Sequence, residues 1–318
     1  MARNDVPLVL IAGPTASGKS ALALDLAGAL QGTVINADSM QVYRDLRVLT
    51  ARPGPDAERR APHRLYGVID AAEPCSVGRW RALAMAAIAE ARQAGRIPIL
   101  AGGTGLYIHA LVHGLAAVPP IPDTVREEAR ALHRRLGPVA FHAALAERDP
   151  EAAARLASGD RQRLIRAFEV LAATGRTLGA WQRESMPSGT LFAMAAITLL
   201  PPRAAHYALC DARFIAMMEQ GAPDEVAALV ARGLSPGLPV MKAVGVREIA
   251  AWLAGRVGRD EAVAAAQQAT RRYVKRQTTW LRHRMTDLQP MILTAQYSES
   301  LLPEILAFIR RTCLTTSD

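Results

Sequence analysis

The octapeptide Gly13-Pro14-Thr15-Ala16-Ser17-Gly18-Lys19-Ser20 is the densest chemical signal in the chain. Its glycines let the backbone curl so that successive N–H groups face an anion, Lys19 adds a full positive charge, and the Ser20 hydroxyl can ligate Mg2+. This is a phosphate cradle, and any diphosphate or triphosphate fits it. Further on, Asn36-Ala37-Asp38-Ser39-Met40-Gln41 brings a carboxylate to the end of an apolar run. Asp38 can there act as a general base, as an outer partner of Mg2+, or simply as a solvated loop aspartate. A second glycine cluster, Gly102-Gly103-Thr104-Gly105, ends another apolar run. An ATP hydrolase places an Asp after such a run to hold Mg2+ through water. The small residues and Thr104 found here weaken that reading and leave kinases with other Mg2+ arrangements open.

Arg271 to Arg284 holds six Lys or Arg, no acid, and the aromatics Tyr273 and Trp280. Dense charge with interleaved rings suits RNA backbone and unstacked bases, and a solvated basic helix face is the competing reading. Asp160 to Ala173 puts Leu164, Ile165, Phe168, Leu171 and Ala172 on one helical face, with Gln162, Arg163 and Arg166 opposite and free for a partner. His109 and His113 stand four apart, but Ala110 occupies the glutamate position of a zinc protease motif and no third ligand is placed. Phe214, Met217 and Met218 read as core packing.

These groups need a scaffold. Val6–Ala12, Thr33–Asn36, Tyr66–Ile69 and Ile97–Ala101 read as strands, and Arg79–Gln93 and a segment opening at Lys19 read as helices. Strands alternating with helices predict an α/β fold: a parallel sheet covered on both faces, like that of P-loop NTPases. After Pro119, Pro120 and Pro122 the pattern turns helical to about Gly189, followed by a strand candidate Phe192–Leu200 and further helix beyond Pro202. The expected organisation is a core of residues 1–118 and 191–318, its second part ending in the basic helical segment, interrupted by a mostly helical insertion, 119–190. The tail beyond Thr315 is expected to be disordered.

At 318 residues, with 50% hydrophobic and 21% charged, the chain can bury a sizeable core and is neither collagen-like nor disulfide-stapled. Its net charge of +9 favours an acidic partner, nucleic acid or a phosphorylated metabolite. Three scattered cysteines, Cys75, Cys210 and Cys313, fit a reducing, cytoplasmic setting. Residues 1–5 lack a signal-peptide pattern, and the longest uncharged stretch, Ile97–Pro122, is broken by glycines and proline, so no membrane role is expected.

Taken in order, several separated motifs resemble the bacterial tRNA dimethylallyltransferases, also called tRNA isopentenyltransferases. They are residues 13–20, Asp38-Ser39-Met40-Gln41-Val42-Tyr43-Arg44, Pro62-His63-Arg64-Leu65, Gly102-Gly103-Thr104-Gly105-Leu106-Tyr107, Gln162-Arg163-Leu164-Ile165-Arg166, Lys242-Ala243-Val244-Gly245-Val246-Arg247 and Lys275-Arg276-Gln277-Thr278-Thr279-Trp280-Leu281-Arg282. The resemblance implies transfer of a dimethylallyl group from dimethylallyl diphosphate to the N6 amine of the adenine 3′ of a tRNA anticodon, position 37, with Mg2+. It further implies that the cradle holds the leaving diphosphate with help from Lys19 and Arg213, and that Asp38 takes the amine proton. Thr104 and Arg126 would lie beside the nucleotide, and Asp38 to Gln41, Gln162 to Arg166, Lys242 to Arg247 and Lys275 to Arg282 would contact the tRNA, the basic segments gripping the anticodon stem-loop. A monomer is expected. The chain departs from the pattern at Leu49, where glycine is usual, and at Arg52, Cys75 and Val246. The rival readings are a nucleotide or metabolite kinase, an enzyme prenylating free adenine nucleotides, and a non-catalytic RNA-binding module regulated by nucleotide.

Overall fold

The computed structural model describes residues 7–184 and 192–314. The expectations for the first residues, the Gly189 boundary and the tail beyond Thr315 fall outside them. Six strands form one sheet: β1 (Pro7–Ala12), β2 (Gly32–Asn36), β3 (His63–Arg64), β4 (Ile97–Gly102), β5 (Ala193–Leu199) and β6 (Met291–Leu293). Their order is β3-β2-β4-β1-β5-β6 and every pairing is parallel.

Alternate side chains explain why both faces are covered. Leu8, Leu10 and Ala12 of β1 enter one apolar cluster, and Val9 and Ile11 enter the other. Leu100 parts in the same way from Ile99 and Ala101 on β4. Helices α1 (Lys19–Ala29), α2 (Pro55–Arg60), α3 (Val77–Gln93) and α4 (Gly105–His113) belong to the first part of the chain. On α1 the buried Leu22, Ala23, Leu26 and Ala27 recur at helical spacing and seal one sheet face.

The chain divides into two compact units, His113–Thr190 and the remainder. The smaller one is helical: α5 (Asp123–Ala146), α6 (Pro150–Arg155), α7 (Arg161–Thr174) and α8 (Leu178–Glu184). Its core gathers Ala129, Phe141, Leu145, Ala152, Leu164 and Ile165. Helix α5 breaks at Gly137, whose φ of 76° is left-handed, just before Pro138. The larger unit resumes with α9 (Arg203–Glu219), α10 (Ala222–Ala231), α11 (Val246–Leu253), α12 (Arg259–Arg284) and α13 (Leu302–Ile309).

The strand expected at Tyr66–Ile69 is not there. Leu65 and Gly67 both adopt left-handed φ, 66° and 64°, which stops an extended run; pairing occurs instead at His63–Arg64, and Ile69 keeps only an isolated bridge to Tyr43. The short edge strand β6 lies where the sequence reads as helix. On α7 the buried face is Leu164, Ile165, Ala167 and Val170, and Ala172 is exposed.

Candidate active site

The cradle begins where β1 ends. Gly13 N–H donates to the Gly102 carbonyl at 3.3 Å, and Pro14 O accepts from both Ser17 N–H at 3.3 Å and Lys19 Nζ at 3.2 Å. Ala16 (φ 61°) and Gly18 (φ 90°) are both left-handed. Such a conformation is strained for alanine, and alternation of this kind turns N–H groups toward a common point. Ser17 Oγ is buried with no hydrogen-bond partner, an orphan that a phosphate oxygen can answer.

Thr15 is gripped from both sides. Its N–H donates to Gln277 Oε1 at 3.0 Å, and its carbonyl accepts from His206 Nε2 at 2.6 Å. The other end of the Gln277 amide donates to the Gly103 carbonyl at 3.0 Å, so one side chain of α12 joins the cradle to the β4–α4 loop. A side chain at Gly103 would run into Gln277 and one at Gly105 into the Trp280 ring; the second glycine cluster is thus the seat of α12.

Asp38 follows β2. Asn36 Oδ1 accepts its N–H at 2.8 Å, and its own Oδ1 accepts Met40 N–H at 2.9 Å, which fixes the carboxylate at the carboxyl edge of the sheet. Thr104 Oγ1 accepts Ser39 N–H at 2.9 Å and donates to Ser39 Oγ at 3.3 Å. Burial, and then Asp38, push the Tyr273 phenol up. Burial lowers the Lys19 ammonium to about 8, against the attraction of Asp38 and with the help of Arg213. Arg213 is itself lowered by burial. Cys210, raised to about 11 by burial, stays a thiol beside them.

Asp38, Ser39, Cys210, Arg213 and Tyr273 meet Thr15 and Ala16 of the cradle around a cavity of about 230 Å3, which Lys19 and Thr104 do not line. Thr15, Asp38, Ser39, Arg213, Lys242, Tyr273 and Arg276 are among its polar lining, and Met40, Leu49, Phe214, Met217, Ala243 and Val244 are its apolar lining. Phe214 and Met217 therefore do more than pack the core. The signal for this lay in α9, where Cys210, Arg213, Phe214 and Met217 recur at i, i+3, i+4 and i+7 and so share a face. Tyr273, Thr270, Thr50 and Cys210 also line the space without having been singled out for it.

Several residues assigned to tRNA turn inward instead. Gln277 is 5% exposed and Leu281 2%, and both hold α12 in place. Leu164, Ile165 and Val246 are core. Gln41 is buried, its amide donating to the Thr50 and Ala51 carbonyls at 2.8 and 3.0 Å. The exposed face of α12 is Arg272, Lys275, Arg276, Thr279, Arg282, His283 and Arg284, with Thr278 half-buried. Lys242 and Arg247 are also exposed. In the helical unit Arg126 pairs with Asp123 at 3.5 Å, Arg166 with the buried Glu169 at 3.7 Å, and Arg163 with its N-capping Asp160; Gln162 is exposed. Ser20 lies exposed in the first turn of α1. Among the described residues no set of three or more His, Cys, Asp or Glu stands together for a metal. No described helix is long and apolar enough to cross a membrane.

A family model described as IPP transferase matches residues 41–284, and one described as isopentenyl transferase matches residues 6–72. The chain is 58% identical over 284 residues to the tRNA dimethylallyltransferase of Rhodospirillum centenum, covering 88% of this chain and 89% of that one. To the protein of the same name from Rhodospirillum rubrum it is 56% identical over 318 residues, covering 98% and 97%. The crystal structure of the full-length tRNA isopentenylpyrophosphate transferase from Bacillus halodurans superposes with a TM-score of 0.68 at 32% identity, covering 96% of this chain and 95% of that one. A cradle ending β1, a carboxylate ending β2 and these matches along nearly the whole sequence make the chain a member of the IPP transferase family of tRNA dimethylallyltransferases.

Proposed function

We propose that this chain transfers a dimethylallyl group from dimethylallyl diphosphate to the N6 amine of the adenine that follows the anticodon in tRNA, acting as a monomeric cytoplasmic enzyme. One observation carries the reading: cradle residues, a fixed carboxylate and an apolar wall line a single cavity. A hydrolase has no use for the apolar wall, and a small-molecule kinase has none for the basic face of α12.

The diphosphate would sit on the cradle N–H groups and Ser17 Oγ, with Lys19 and Arg213 facing its charge. The C1–O bond breaks with its electron pair leaving on the diphosphate, and these donors stabilise the oxygens as charge grows on them. The adenine nitrogen bonds to C1, and its proton passes to the Asp38 carboxylate, whose Oδ1 is anchored by Met40 N–H. Thr104, bonded to both the backbone and the hydroxyl of Ser39, would orient the base. The orphaned Ser17 hydroxyl and the exposed Ser20 suit a diphosphate with Mg2+, which takes most of its ligands from phosphate and water. Held by Ser20 and the diphosphate, Mg2+ would supply positive charge against the leaving group. The adenine must leave its stack, which costs a few kcal/mol in a loop. Lys275, Arg276 and Arg282 of α12 would meet phosphates of the stem-loop, and Gln162 and Arg163 are the tRNA-binding candidates of the helical unit taken by itself.

The test is incubation with an unmodified tRNA transcript and radiolabelled dimethylallyl diphosphate. Label on the adenine 3′ of the anticodon is expected. Label only on free adenine nucleotides, or on nothing, defeats the proposal.

A further inference from the structure

We infer that Leu49 sets the length of prenyl chain that the cavity accepts, an inference that rests on the diphosphate reading above. A hydrocarbon tail suits the apolar part of the lining, which includes Met40, Leu49, Phe214 and Met217. Leu49 is 6% exposed there. Its Cδ1 comes within 2.8 Å of where a Cβ on Gly245 would stand, and the Phe214 ring within 3.0 Å of the same point, so the two side chains meet over Gly245. Leu49 and Phe214 belong to the same apolar cluster as the buried Val246 and Ile249 of α11.

The wall is held rigidly. Glu225 on α10 accepts the N–H groups of Arg47 and Val48 through Oε1, at 2.8 and 2.7 Å, and that of Leu49 through Oε2, at 3.0 Å. The Gln41 amide also donates to the Thr50 and Ala51 carbonyls. Held at five backbone groups, the turn cannot swing aside for a longer tail. On this inference a five-carbon dimethylallyl group would end at the wall, and a ten-carbon geranyl group would have to pass it. With either donor the same C1–O bond breaks, the diphosphate leaves with the electron pair, and the amine proton goes to Asp38; only the tail differs.

The experiment compares kcat/KM for dimethylallyl diphosphate and geranyl diphosphate on one tRNA transcript, for the wild type, Leu49→Ala and Leu49→Val, with products identified by mass. The wild type is expected to prefer the shorter donor. Leu49→Ala is expected to shift the ratio toward geranyl at least tenfold, since each methylene in an apolar pocket discriminates about 10- to 200-fold. Leu49→Val is expected to shift it less, and it decides the matter if Leu49→Ala loses turnover with both donors. An unchanged ratio in variants that still use dimethylallyl diphosphate, or a wild type indifferent to chain length, overturns the inference. A wild type that transfers neither group refutes the diphosphate reading itself.

Discussion

Gln277→Ala separates a structural tie from an RNA contact. The substitution removes one acceptor and one donor and strands two partners, Thr15 N–H and the Gly103 carbonyl. A buried polar group left unpaired costs about 1–3 kcal/mol. The Gly103 side is buried and incurs about 2 kcal/mol; the Thr15 side is partly buried, so water can answer it and about 1 kcal/mol is lost there. A total of about 3 kcal/mol is a large part of the ~5–15 kcal/mol that holds a domain folded. Urea unfolding followed by circular dichroism reads it directly as a fall in midpoint at constant slope. Gln277→Glu should destabilise as well, because a carboxylate can still accept from Thr15 but cannot donate to Gly103. A variant of wild-type stability that binds tRNA more weakly would refute the tie and return Gln277 to the RNA surface.

Asp38→Ala should lower turnover by about 10²- to 10⁴-fold, the usual worth of a general base, with tRNA affinity nearly unchanged; equal turnover would remove Asp38 from proton transfer. Because burial lowers Lys19 to about 8, inorganic pyrophosphate affinity measured by calorimetry should fall as pH rises past that value. Lys19→Arg, which stays charged, should flatten the profile, and a profile the same in both would contradict this. The linked stability effect has a definite sign: between about 8 and 10.5 the unfolded chain holds the extra proton, so this group's contribution becomes more favourable as pH climbs through that window. Lys275→Ala with Arg282→Ala should weaken tRNA binding and reduce its salt slope by about one per lost phosphate contact, and an unaltered slope would place the interface elsewhere.

Short-range signals in the sequence make the cradle, the central strands and Asp38 legible. The octapeptide has fixed residues at fixed spacing, β1, β2 and β4 are uninterrupted apolar runs, and an acid just past a strand lands at the sheet edge where ligands bind. What is not legible depends on distant partners. Gln277 sits in a basic segment and reads as surface, yet its two partners are 262 and 174 residues away. Leu49 becomes a wall through Glu225, 176 residues on. Dihedral angles also escape periodicity: nothing in the apolar run at Tyr66–Ile69 announces that Leu65 is left-handed. Edge strand β6, three residues long, is too short to carry a pattern.

The sheet order has a consequence for synthesis. Strand β1 lies between β4 and β5, so the first strand to leave a ribosome waits for one that follows the whole helical unit before both its edges are paired. Ligand-gripping geometry comes later still, since Thr15 meets its partner on α12 only when residue 277 has emerged. Long-range closure of this kind slows folding and leaves open edges exposed in the meantime. A prematurely terminated polypeptide ending before that glutamine carries the octapeptide complete, with its Thr15 amide unanswered.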